Sequence, residues 1–286
     1  MKRTLSLISS ALLGLLTLVG CTPTQFVNSF VSPNLNAVTA SYGPHPRHEL
    51  DIYTAGEYTV GESSRGLLVF VHGGYWDEGD KSDYVFVANS FAERGYTVAL
   101  VNYRLVPEVT FPDYVEDLAR ALTWLKTQET YSDLPLFLMG HSAGAHIAAL
   151  VAFDETYLNE YGLSPDVLEG FIGLAGPYNF LPLGPDDERS RAALGDPETY
   201  PQTQPINFVD AQDPRSFLAV SLNDETVNPN NSLSFAEAIK NAGGEVTLKK
   251  YNDLNHATIV GALSSVGRVL NQNVLKDILT FMDRIS

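Results

Sequence analysis

The stretch Gly140-His141-Ser142-Ala143-Gly144 constrains this chain more than any other, because of what flanks it. Upstream lies the apolar run Leu134-Pro135-Leu136-Phe137-Leu138-Met139, and downstream the alanine-rich His146-Ile147-Ala148-Ala149-Leu150-Val151. The first reads as a buried strand and the second as a helix, so five residues must turn the chain sharply between them. The glycines lack Cβ and permit close packing around that turn, leaving Ser142 at its apex.

The rhythm recurs along the chain. Leu67-Leu68-Val69-Phe70-Val71 and Tyr96-Thr97-Val98-Ala99-Leu100-Val101 are continuous apolar runs, the mark of strands covered on both faces. Between them Tyr84 to Arg94 predicts a helix stopped by Gly95. Val115, Leu118, Leu122 and Leu125 fall at helical spacing and predict a second, which also carries Trp124 as a structural residue. Further strands are expected at Phe171–Leu174, Ser216–Val220 and Val246–Lys249. A last helix should bury Val274, Leu275, Ile278, Leu279, Met282 and Ile285. Strands alternating with helices predict an α/β fold with one doubly wound, mostly parallel sheet. Residues 177–214, rich in Pro, Gly and Asp, are too long for a plain connection and predict a short cap inserted over the site.

The amino end differs. Lys2 and Arg3 precede an uncharged run from Leu5 to Gly20, which reads as an export signal over residues 1–20. That run is short for a membrane span of about 20 residues. Its ending, Leu18-Val19-Gly20-Cys21, looks like the lipobox of bacterial lipoproteins. Cys21 is the sole cysteine, so no internal disulfide forms, and lipidation at Cys21 is expected. Residues 21–41, polar with Pro23 and Pro33, then read as a lipidated N-terminus and tether, and residues 42–286 as the folded domain. Thr22 follows the cysteine; in a Gram-negative host, likeness to sorted lipoproteins points to the outer membrane or the periplasmic face. The net charge of −16 falls by two more on removal of Lys2 and Arg3. Such acidity disfavours nucleic acid as a partner and leaves membrane attachment to the lipid.

A serine hydroxyl is a poor nucleophile unless a base stands beside it, held in turn by an acid. In the strand–turn–helix context, Gly-x-Ser-x-Gly is a nucleophile elbow whose partners follow in the order acid, then histidine. Of six histidines, His256 alone lies after Ser142 and outside the elbow and its helix, directly behind a predicted strand. Asp224 follows the strand Ser216–Val220 and is the expected acid; neighbouring Glu225 could substitute, whereas Asp210 and Asp213 precede the strand and are misplaced. His72-Gly73-Gly74-Tyr75-Trp76 follows the strand Leu67–Val71, where backbone N–H groups of Gly73 and Gly74 would join that of Ala143 in an oxyanion hole. Tyr75 and Trp76 are candidates for the substrate pocket. His72 and His141 are expected to brace the loops, and His146 to pack on the elbow helix. No metal-ligand spacing and no phosphate-cradling glycine loop is present, so neither metal nor cofactor is expected.

Together these residues resemble the α/β-hydrolase superfamily, in its esterase branch with a His-Gly-Gly-x-Trp oxyanion loop, which includes carboxylesterases and kynurenine formamidase. The likeness extends from about Tyr42 to the C-terminus and also takes in Leu50-Asp51-Ile52-Tyr53, Asp80-Lys81-Ser82-Asp83 and Val101-Asn102-Tyr103-Arg104-Leu105. The chain departs from the branch at Asn179, where relatives often carry Asp, and at Asn228, which interrupts the common Asp-x-x-Val-Pro ending. The resemblance implies a serine esterase acting on a small-molecule ester. The alternatives are a formamide hydrolase of the N-formylkynurenine type, a non-catalytic surface lipoprotein that keeps the fold, and action on acetyl groups of a polymer. Export sets this chain apart from formamidases of tryptophan breakdown, which act in the cytosol.

Overall fold

The structure, a computed structural model, describes residues 23–32, 34–55 and 64–285. The expected signal peptide and Cys21 lie outside the described residues.

Eight strands form one sheet: β1 (Leu35–Ser41), β2 (Glu49–Ala55), β3 (Leu67–Val71), β4 (Thr97–Val101), β5 (Leu136–His141), β6 (Leu168–Leu174), β7 (Ser216–Ser221) and β8 (Val246–Tyr251). Their order is β1-β2-β4-β3-β5-β6-β7-β8. From β4 to β8 every neighbour runs parallel, while β2 lies antiparallel to both β4 and β1. This is the doubly wound, mostly parallel sheet expected from the alternating pattern.

Because side chains alternate across a strand, each central strand feeds two cores. In β3, Leu67, Val69 and Val71 join one apolar cluster and Leu68 and Phe70 the other; in β5, Leu136 and Leu138 oppose Phe137 and Met139. The first face is covered by α3 (Asp113–Thr127), α4 (Ala143–Phe153) and α7 (Asn230–Ala242). The second is covered by α2 (Val85–Ala92) and α9 (Asn273–Ile285). Val115, Leu118, Leu122 and Leu125 are all fully buried on α3. On α9 the buried face includes Phe281, with Leu279 only partly covered. Every residue of α4 is buried, which explains why this helix is apolar all round.

The expected tether over residues 21–41 is corrected by the structure. Pro23–Asn28 forms a short helix, α1, and Leu35–Ser41 is the edge strand β1, paired along its whole length with β2. Asn28 fixes α1 to the domain: its Nδ2 donates to the carbonyl of Ser82 at 2.9 Å, and its Oδ1 accepts from Phe86 N at 3.0 Å. Thr24 Oγ1 donates to Asp83 at 3.1 Å, and Val27, Val31 and Leu35 pack on the second core. The strand escaped notice because four of its central residues are exposed, so neither an apolar run nor an alternation marks it.

The segment between β6 and β7 holds α6 (Glu188–Leu194) and two 3₁₀ turns, Pro197–Thr203 and Pro205–Phe208. It contributes Pro177, Phe180 and Leu183 to the pocket beside Ser142, as a cap would. Two further short helices, α5 (Glu155–Glu160) and α8 (His256–Gly261), complete the elements used below.

Candidate active site

Ser142 stands between β5 and α4 with φ 56° and ψ −126°, a conformation that non-glycine residues seldom adopt. Such strain costs about 1–3 kcal/mol and persists only where the surroundings over-determine it. Here they do. A Cβ on Gly144 would lie 2.2 Å from the carbonyl oxygen of Val71, and one on Gly140 would lie 2.3 Å from that of Gly144. Gly144 is therefore required by backbone packing against β3, and Gly140 by the backbone of the turn itself. Ser142 N donates to Leu174 O on β6 at 2.9 Å, pinning the apex to the neighbouring strand. Behind it, α4 directs its free N–H groups and positive dipole end at the serine.

His256 opens α8. Its loop is shaped by a capping box in which Asn255 accepts from Thr258 N at 2.9 Å and Thr258 Oγ1 accepts from Asn255 N at 2.7 Å. From there His256 Nε2 lies 2.8 Å from Ser142 Oγ, and Nδ1 lies 2.8 Å from Asp224 Oδ2. The Asp224 side chain is 1% exposed, and its other oxygen accepts from the backbone of Thr226 and Val227, each at 2.9 Å. Burial pushes the Asp224 carboxyl up, but the His256 hydrogen bond, the two amides and the His256 charge outweigh it and hold the group below its ordinary range. Glu225 is exposed and makes no hydrogen bond to His256; Asp210 and Asp213 bond to one another at the far end of β7.

On the opposite side of the serine, the His72–Trp76 loop passes so close that a Cβ on Gly73 would lie 3.0 Å from that of Ser142. Gly74 has φ 125°, and Tyr75 and Trp76 take positive φ values of 50° and 64°. Among the described residues, the backbone N–H groups of Gly74 and Ala143 have no protein acceptor, whereas that of Gly73 bears on the Tyr84 hydroxyl. His72 and His141 brace their loops: His72 Nδ1 donates to Gly73 O at 2.8 Å, and His141 Nε2 donates to His256 O at 3.0 Å.

His146 does more than pack, contrary to the expectation from sequence. Trp76 Nε1 donates to His146 Nδ1 at 3.1 Å, and His146 Nε2 donates to Thr203 O at 2.7 Å. One buried imidazole thus joins the His72–Trp76 loop, α4 and the segment between β6 and β7. Its position four residues after Ser142, one helical turn on, was the sequence signal available. Burial drives the His146 and His72 imidazoles down to about 4 and His141 to about 3, the last also through its neighbour His256. All three are neutral at pH 7 and serve as fixed donors and acceptors.

Ser142 and Ala143 open into a pocket of about 400 Å³. Its lining combines apolar and aromatic side chains, Tyr75, Trp76 and Phe180, with the carboxamides Asn179, Asn228 and Asn230. Both positions where the sequence departs from its relatives, Asn179 and Asn228, therefore face this pocket. Among the described residues no cluster of His, Cys, Asp and Glu is placed to hold a metal ion.

Comparison with known proteins bears on this geometry. A "probable isoprenylcysteine alpha-carbonyl methylesterase" of rice is 29% identical over 245 residues, covering 76% of this chain and 56% of the rice protein. The chain thus spans about half the length of such plant relatives. A kynurenine formamidase of Danio rerio is 26% identical over 241 residues, covering 82% of this chain and 79% of its own. Among solved structures, a truncated carbohydrate esterase from gut microbiota superposes with TM-score 0.74 at 18% identity, over 89% of this chain and 98% of that one. Esterase 2 of Thermogutta terrifontis gives 0.73 at 22% identity, over 89% and 96%. These superpositions establish the α/β-hydrolase fold. The BD-FAE family profile matches residues 50–239, from β2 through most of α7, and so takes in Ser142 and Asp224 but not His256. The chain belongs to the BD-FAE family and has the α/β-hydrolase fold.

Proposed function

We propose that the protein is a serine hydrolase that cleaves carboxylic esters of small or medium acyl groups through an acyl-enzyme. The observation carrying this reading is the continuous contact from Asp224 through His256 to Ser142, 2.8 Å at each step, at the mouth of a pocket. His256 takes the Ser142 proton as Oγ attacks the ester carbonyl. Asp224 holds the imidazole in the tautomer with hydrogen on Nδ1 and stabilises the cation that forms. Gly73, Gly74 and Ala143 supply N–H donors to the oxyanion. As the intermediate collapses, His256 returns the proton to the departing alcohol; water, activated by the same imidazole, then releases the acid and restores Ser142. Tyr75 and Trp76 bound the space open to substrate. Every proton is carried by the chain's own side chains.

A second reading is hydrolysis of an aryl formamide, supported by the Danio rerio formamidase, most of whose length this chain matches. For either substrate, the lipobox supports export and attachment to a membrane through Cys21. Among the described residues no helix is long and apolar enough to cross one.

The test is a panel of p-nitrophenyl esters of graded acyl length, an acetylated xylose and N-formylkynurenine, run beside Ser142→Ala. Short esters should be turned over, with the variant at least ~10³-fold slower. Faster turnover of N-formylkynurenine than of any ester would select the second reading. Failure of a fluorophosphonate to label Ser142 in folded protein would leave the non-catalytic lipoprotein in its place.

A further inference from the structure

The oxyanion loop is held from outside the hydrolase core, by the cap. Gly74–Glu78 forms a tight turn in which the N–H groups of Asp77 and Glu78 both donate to Gly74 O, at 3.1 and 3.0 Å. A Cβ on Gly74 would fall 2.1 Å from the carbonyl oxygen of Glu78, so the turn has no slack. Two successive non-glycine residues inside it, Tyr75 and Trp76, sit at positive φ. A turn with this much local strain needs outside contacts to persist.

One set of contacts comes from Arg189 on α6, 112 residues away in sequence. Its guanidinium forks onto Asp77: Nε donates to Oδ2 at 2.8 Å, and Nη2 donates to Oδ1. Nη2 also donates to Glu78 Oε1 at 3.0 Å. The plane lies 4.3 Å from the centroid of the Tyr75 ring. A lone exposed ion pair would hold little. Here a bidentate fork, a second carboxylate and a cation–π contact converge on three consecutive-to-near positions of one turn, so the geometry adds direction to charge. Gly73 and Gly74, the donors of the proposed oxyanion hole, directly precede those positions.

We infer that Arg189 is a positioning residue: from the cap it clamps Tyr75, Asp77 and Glu78 and thereby holds the Gly73 and Gly74 amides in the arrangement that stabilises the oxyanion. This rests on the serine hydrolase reading. The cap then acts on the chemical step as well as on pocket shape. A residue acting so should be felt in kcat for substrates too small to touch the cap, and should weaken as salt screens its half-exposed charges.

The experiment measures kcat and KM for p-nitrophenyl acetate in wild type, Arg189→Ala, Arg189→Lys, Glu78→Gln and Asp77→Asn combined with Arg189→Ala. Far-UV circular dichroism and melting curves establish that each is folded. Arg189→Ala is expected to lose about tenfold in kcat with KM within about twofold. Arg189→Lys, which keeps the charge and loses the fork, should recover only part of this. The double variant should be no worse than Arg189→Ala, since both remove one contact. Wild-type kcat should fall toward the variant's value as NaCl approaches 1 M, where the Debye length is about 3 Å, while Arg189→Ala stays flat. Should Arg189→Ala fail to fold, Glu78→Gln and the wild-type salt titration decide alone. An unchanged kcat, or a rise in KM confined to long acyl chains, would overturn the inference and leave Arg189 as a pocket-shaping residue. Wild type inert toward all esters and formamides would sink the hydrolase reading itself, and this inference with it.

Discussion

Ser142 is held differently on its two sides. Toward His256, support is local: Asp224 is satisfied by amides two and three residues on, and His256 is presented by a capping box spanning Asn255 to Thr258. Toward the oxyanion loop, support is remote: Trp76 leans on His146, 70 residues away, and His146 on Thr203, 57 residues further. Local support forms with the loop that needs it. Remote support requires the cap to be docked, so the second side should respond to damage far from the serine.

The largest effect expected falls on the local side, at the one side chain common to base and loop. Asp224→Asn should preserve the fold yet reduce kcat by roughly 10³–10⁴-fold, because an amide facing Nδ1 favours the wrong imidazole tautomer. Steady-state kinetics with a short ester would show it, and a loss under tenfold would move the acid to Glu225. Next comes the remote side, read through acid stability. An unfolded chain protonates His146 near its ordinary 6.5, whereas the native chain resists until about 4. Stability is thus intact above pH 6.5 and falls as pH drops through that window, by about 3 kcal/mol at pH 4 from this residue. His146→Gln, able to accept from Trp76 and donate to Thr203 without titrating, should flatten the fall in melting temperature between pH 7 and 4.5; an unaltered slope would break the assignment. The smallest effect is at Asn255→Ala. Losing its cap should cost about 1 kcal/mol in denaturant unfolding, with kcat down less than about threefold. A larger kinetic loss would mean that the local side leans on this one cap after all.

The same contrast decides what could be read without coordinates. Ser142, Asp224 and His256 each follow a strand that the sequence marks, and parallel strands end at one edge of the sheet, so chain order alone brought them together. The two glycines of the elbow are explained by backbone oxygens that a Cβ would strike, Val71 O on β3 for Gly144 and Gly144 O for Gly140. Arg189 had no such signal: an arginine in a polar, Pro-rich segment reads as a solvated charge until α6 is folded over Asp77. His146 read as a core residue, because nothing in an alanine-rich helix says that a Trp indole and a carbonyl meet its two nitrogens. Strand β1 reads as a tether in the sequence, since its exposed side chains carry no periodicity and its place depends on β2 beside it.

That docked amino end alters what an anchor at Cys21 would mean. With α1 seated on Asp83, Ser82 and Phe86, two residues, Thr22 and Pro23, separate the cysteine from Thr24, the first residue bonded to the body. At 3.8 Å per residue, the leash can reach at most about 11 Å. A lipid there would leave the domain no room to sweep an arc above the bilayer. It would ride with one flank against the headgroups.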